Sequence, residues 1–172
     1  MPVSRSKQTE SKAGTKAKST ATEAQDAPPT KSRAAAFDSV KPLGAVDAGK
    51  YEAIIPEFVL QDPNEKGQAA RIKYEIASEG EMQGETVTQF YSLFDAEGQP
   101  GKGAAFLKKD LAVMGYPDCS FDDLETVFGE IVEKLLGVVI TVKQNGQWTN
   151  AYLNGLAEGS DVVSEYLEKR PY

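Results

Sequence analysis

The 172-residue chain contains no histidine and a single cysteine, Cys119. Histidine is the commonest general base and metal ligand, and without it no Ser-His or Cys-His nucleophile can be assembled. One cysteine allows neither an intrachain disulfide nor a multi-cysteine zinc site, and a reducing cytoplasm is the expected setting. No apolar run approaches the ~18–20 residues that span a bilayer, and no apolar segment follows the first residues as in an export signal. A Walker-type phosphate loop and a dinucleotide-binding glycine motif are both missing. Enzyme activity is therefore not expected, and no cofactor or membrane partner is implied.

Large apolar side chains are also missing from the start of the chain. Positions 1–36 hold no Phe, Tyr, Trp, Leu or Ile, and carry seven basic against three acidic residues. Such a segment cannot bury enough surface to offset chain entropy, so 1–40 is expected to be a disordered, basic tail. Its composition resembles an organelle transit peptide, but Glu10, Glu23 and Asp26 argue against that role. The rest of the chain holds twelve basic and twenty-three acidic residues. That balance disfavours blanket neutralisation of duplex DNA, while leaving room for a local basic groove.

From Ala48 onward, alternation takes over. A first long strand runs through Tyr51, Ala53, Ile55 and Val59, with Pro56 marking an edge position or a bulge. A turn cluster from Asp62 to Gly67 leads to a second strand, Ala70 to Ala77, with Arg71, Lys73 and Glu75 on its polar face. A third strand, Thr86 to Phe94, has no plainly polar face and is expected to be covered on both sides. Leu107, Leu111 and Met114 then follow helical spacing up to Gly115-Tyr116-Pro117. A second helix is expected after Ser120 as N-cap, with Leu124, Val127, Phe128, Ile131 and Leu135 as its apolar stripe and Gly137 as its stop.

The last two strands flank Asn145-Gly146, a strong hairpin signal. With those two residues at the turn centre, Gln144 pairs with Gln147. Lys143, Thr141 and Val139 then face Trp148, Asn150 and Tyr152, while Val142, Ile140 and Val138 face Thr149, Ala151 and Leu153. One side is aliphatic. The other holds the only tryptophan, a tyrosine, an asparagine and a lysine. The order strand-strand-strand-helix-strand-strand predicts a mainly β fold with helices (α+β), an OB-like five-stranded barrel over 41–156. A helix or helix pair stands between strands 3 and 4, and 157–172 reads as a tail with one helical turn.

Two features with metal or phosphate chemistry have plainer explanations. Asp118, Asp122, Asp123 and Glu125 are oxygen ligands of the type Mg²⁺ takes, but also suit a helix N-terminus. The Gly98–Gly103 loop places Lys102 before a helix, yet lacks the Ser/Thr that would hold a metal. Cys119 lies among the acids, which disfavours its thiolate.

The aromatic strand face points to single-stranded nucleic acid, which stacks its bases on aromatic rings beside cations. Trp148 and Tyr152 are the expected stacking residues, with Lys143, Arg71 and Lys73 against phosphates. Phe90 or Tyr91 joins from the third strand and Lys66 from the loop between strands 1 and 2. The competing explanations are tails or helices packed over Trp148 and Tyr152, and Arg71 and Lys73 paired to Glu75 or a neighbour on a solvated face.

An ordered set of segments adds a resemblance. Gly49-Lys50-Tyr51-Glu52-Ala53, Ile72-Lys73-Tyr74-Glu75-Ile76 before the Gly84 turn, and Phe106-Leu107-Lys108-Lys109-Asp110-Leu111 precede Gly137-Val138. Gln144-Asn145-Gly146-Gln147, Asn150 and Leu153 complete the set. Over roughly 48–156 the chain resembles small bacteriophage proteins grouped as a domain of unknown function, encoded among phage replication and recombination genes. The resemblance implies a non-catalytic single-stranded-DNA-binding protein with an OB-like core, working in the bacterial host cytoplasm. Phage or host replication and recombination proteins are its implied partners, and self-association stays open. The alternative is a phage protein–protein adaptor, a virion or anti-defence component, that docks through the aromatic strand face.

Overall fold

The computed structural model describes residues 46–171; the basic segment 1–40 lies outside the described residues. Five strands and three helices follow in the order β1 Gly49–Leu60, β2 Gln68–Ile76, β3 Thr86–Phe94, α1 Lys102–Val113, α2 Leu124–Glu133, β4 Gly137–Asn145, β5 Trp148–Leu156 and α3 Asp161–Lys169. The expected α+β class is correct. The strands form one antiparallel sheet ordered β3-β2-β1-β4-β5. The sheet curls far enough to bring its two edges, β3 and β5, near each other with α1 beside them. No hydrogen-bonded ladder joins those edges, so the sheet is not a closed barrel.

β1 is the central strand, which excludes the edge position allowed for Pro56. The bulge is what occurs. Ile54 pairs with Glu75 and Glu57 with Lys73, leaving Ile55 and Pro56 opposite Tyr74 alone. The missing proline N–H falls where the β1–β4 ladder has already ended at Ile54–Gly137. The extra residue also shifts the side-chain alternation. Ile55 and Phe58, three positions apart, both enter the main core, and Glu57 turns outward. Phe58 then stacks on Phe128 of α2 with ring centroids 3.7 Å apart.

The helical spacing is realised as expected at Leu107, Leu111 and Met114, which are buried under the sheet. α1 ends at the Gly115 turn, where Tyr116 N–H bonds back to Leu111 O. α2 begins later than Ser120 predicts. Its N-cap position is Asp123, and the Ser120 hydroxyl instead donates to the Asp123 carboxylate. Its stop is also earlier than Gly137. Leu135 takes φ 44°, and Leu136 N–H returns to Ile131 O. Leu135 adopts this unfavourable backbone while its side chain packs against a second apolar cluster of Ile54, Ala77 and Val163.

That second cluster lies on the outer face of the sheet and explains a further correction. Residues 157–171 hold a nine-residue helix, α3, in place of a tail with one turn. Ser160 caps it by accepting from Val163 N–H, and Val163 buries against Ile54. Arg170 grips Glu75 of β2 with two bonds of 2.8 and 2.9 Å, and the Tyr166 hydroxyl donates to the same carboxylate at 2.6 Å. β3 differs from expectation too. Val87, Tyr91 and Leu93 are buried, but Phe90 on the other side is 55% exposed, because β3 is an edge strand with one open face.

Candidate nucleic-acid interface

The final hairpin turns one residue later than Asn145-Gly146 predicts. Asn145 pairs with Trp148, so Gly146 and Gln147 occupy the turn centre. Gly146 has φ +62°, and among the described residues no positive φ occurs at Asn145 or Gln147, the pattern of a type II′ turn. Every pair moves with it: Lys143 faces Asn150, Thr141 faces Tyr152 and Val142 faces Ala151. The two faces keep their membership, because the change preserves odd-with-even pairing. Near the far end a bulge at Asn154 shifts the register again, and Asn154 Nδ2 donates to Thr141 Oγ1 at 2.6 Å.

The aliphatic face is core, and the aromatic face is open. Trp148 is 66% exposed and Tyr152 51% exposed, so among the described residues no C-terminal segment or helix covers either ring. Lys143 Nζ sits 5.4 Å from the Tyr152 ring centroid, so the lysine lies over Tyr152.

Tyr152 and Phe90 come to one recess from opposite sides of the open seam. Both line a cleft of about 290 Å³ between β5, β3 and α1, together with Phe106, Lys109, Asp110 and Gly103. Phe106 is 59% exposed, so three rings with accessible surface surround one recess. Gly103 brings α1 against β3. A Cβ there would lie 2.3 Å from Ser92 O and 2.5 Å from Ser92 N. The glycine-rich loop thus has a packing explanation.

Tyr91 is not a stacking platform. Its ring is buried in the core, and its hydroxyl donates to Asp110 Oδ2 at 2.6 Å. Burial raises the Tyr91 pKa, and the neighbouring Tyr74 and Asp110 raise it further. The Tyr74 hydroxyl is itself fully buried beside Tyr91 and lacks a partner of ordinary hydrogen-bond geometry. Burial also raises the Asp110 pKa, against the Tyr91 hydrogen bond and the charge of Lys109, which both lower it.

The cations of β2 are less available than the sequence suggests. Arg71 and Lys73 both pair with Glu57, the residue that the β1 bulge turns outward; Lys73 Nζ is 3.0 Å from its Oε2. The Lys73 hydrogen bond leads the effects that hold the Glu57 pKa below its usual value. Arg71 lies directly across from Phe90, which links this ion-paired patch to the rim of the cleft. Lys66 is exposed in the Asn64–Gly67 turn and does not line the cleft. Trp148 also stands outside it, at the turn end of β5.

No family model matches this chain. No curated protein matches its sequence either.

Phe106, Lys109 and Asp110 belong to the cleft but not to the binding residues expected from sequence. Gly103, Phe106 and Asp110 recur at i, i+3 and i+7, a second stripe beside the buried Leu107–Leu111 stripe. A phenylalanine on that outer stripe was the available signal. Among the described residues no three His, Cys, Asp or Glu side chains gather as a metal site, and no helix is long and apolar enough to cross a membrane. Burial raises the Cys119 pKa, and Asp123 raises it further.

Proposed function

We propose that this chain is a non-catalytic single-stranded-DNA-binding protein that serves bacteriophage DNA replication or recombination. The observation that carries this reading is the cleft at the β3–β5 seam. Phe90, Phe106 and Tyr152 offer ring surface around it, and Lys109 and Lys143 supply positive charge nearby. Stacked bases would cover the three rings gathered at this recess, each stack contributing ~1–3 kcal/mol. The sheet order β3-β2-β1-β4-β5, with a bulged central β1 and helices between β3 and β4, is consistent with an OB-like barrel opened between β3 and β5. The resemblance of 48–156 to phage proteins encoded among replication genes supports the same reading.

Titration with dT oligonucleotides, followed by anisotropy and by Trp148 fluorescence, tests it. Binding at low salt that weakens as salt rises is expected. An absence of binding at low salt sinks the proposal.

One observation favours a second reading. Glu57 occupies both β2 cations, so the open face is more aromatic than basic. An adaptor that docks a protein partner on that face would then be expected. A complex insensitive to salt and lost on Trp148→Ala, without affinity for DNA, selects this alternative.

A further inference from the structure

We propose that the β3–β5–α1 cleft receives one base of the bound strand and selects guanine through the carboxylate of Asp110. The inference rests on the single-stranded-DNA reading and adds to it a base preference.

At about 290 Å³ the cleft stands at the small end of ligand pockets, which run ~300–1,000 Å³. It suits one ring system, with Phe90, Phe106 and Tyr152 available to cover the ring faces. Asp110 is the anomaly. A carboxylate in the recess of a protein that binds a polyanion repels any phosphate that enters. It is compatible with the strand only where a base edge turns toward it and donates hydrogen bonds.

The carboxylate is also held in place. Tyr91, anchored in the core, donates to Oδ2 at 2.6 Å, which fixes one of its two oxygens. An ionised carboxylate accepts at two oxygens, each with two lone pairs, so one tyrosine bond leaves acceptor capacity on both.

Guanine alone among the four bases presents two adjacent donors on one edge, N1–H and the 2-amino group. Their spacing matches the two carboxylate oxygens. Cytosine and adenine each offer one amino donor beside a ring-nitrogen acceptor, and thymine offers one N–H between two carbonyls, so each places an acceptor against the carboxylate. Lys109, on the cleft wall beside Asp110, is positioned to meet a phosphate at the rim.

The test uses the full chain and dT oligonucleotides carrying one central dG, dA, dC or deoxyinosine, with affinities read by anisotropy competition. The dG oligonucleotide is expected to bind about tenfold tighter than all-dT, in the range of a bidentate base contact. Deoxyinosine keeps N1–H but lacks the 2-amino group, and is expected to lose most of that advantage on the unaltered protein. Asp110→Asn, which replaces one acceptor by a donor, is expected to bring the dG-to-dT ratio close to one. Binding of dT without a dG advantage overturns the proposal and leaves the single-stranded-DNA reading standing. A dG advantage undiminished in Asp110→Asn overturns the role of Asp110. Failure to bind any oligonucleotide removes the underlying reading itself.

Discussion

The Tyr91 hydroxyl donates a 2.6 Å hydrogen bond to Asp110 Oδ2 and so ties edge strand β3 to α1. The bond joins a core ring to a half-buried carboxyl in an open cleft. It also sets two demands against each other. Burial opposes the charge on Asp110, while the hydrogen bond and Lys109 support it, and burial is the larger effect.

The pH dependence of stability follows from that balance. The folded-state pKa of Asp110 lies above its ordinary value of 3.8. Its contribution to stability is therefore fully present below that value and is lost as pH rises through the folded pKa. Ionising the buried carboxyl therefore costs the fold stability. Asp110→Asn removes the charge yet keeps an oxygen for the Tyr91 hydroxyl. A higher melting temperature than the parent chain is expected at neutral pH, with the difference shrinking as pH falls toward 4. An equal difference at both pH values would contradict this assignment.

Glu57 should restrain nucleic-acid affinity. Its carboxylate holds both Arg71 and Lys73, and the β1 bulge places it there. Glu57→Gln is expected to tighten single-stranded DNA several-fold at low salt. The salt dependence should also steepen, since each added phosphate contact changes the slope by about 0.7 for single strands. Unchanged affinity and slope would mean that the strand does not cross this patch.

Position in the fold separates two residues that sequence alone grouped together. Tyr152 lines the cleft, whereas Lys66 sits in the Asn64–Gly67 turn outside it. Tyr152→Ala is expected to weaken dT binding at least fivefold, in line with ~1–3 kcal/mol per stacked base. Lys66→Ala should stay within about twofold, as expected for an exposed charge whose contribution is screened. The two dissociation constants, measured in the same buffer, decide the matter.

Two glycines make a paired test of packing. Gly103 abuts the Ser92 backbone, so Gly103→Ala must push α1 from β3 and is expected to destabilise by ~1–3 kcal/mol. Gly129, inside α2, has open space where a Cβ would go. Gly129→Ala should therefore stabilise by ~0.4–1 kcal/mol through a less flexible unfolded chain. Urea unfolding of both variants reads the opposite signs.

The parts legible in the sequence are those governed by short periods. Alternation identified all five strands, and helical spacing identified α1 and α2 through Leu107, Leu111, Phe128 and Ile131. The hairpin faces survived an error in turn position because a pairing change of two residues leaves parity intact. Boundaries that depend on competing local bonds were less legible. Ser120 bonded the Asp123 side chain instead of capping α2, and Leu135 accepted a positive φ in exchange for packing near Val163.

The sequence by itself determined the element order from β1 to β5, the aliphatic and aromatic faces of the final hairpin, and the lack of histidine chemistry, because composition and period are properties of neighbours along the chain. Only the tertiary structure decided which aromatics share a site. The sheet curls until Phe90 of β3 and Tyr152 of β5, 62 positions apart, line one cleft that α1 completes with Phe106 and Asp110. The same long-range packing committed Arg71 and Lys73 to Glu57, and seated α3 on Glu75. Such contacts depend on the bulge at Ile55–Pro56 and on how two sheet edges approach, and no local pattern encodes that approach.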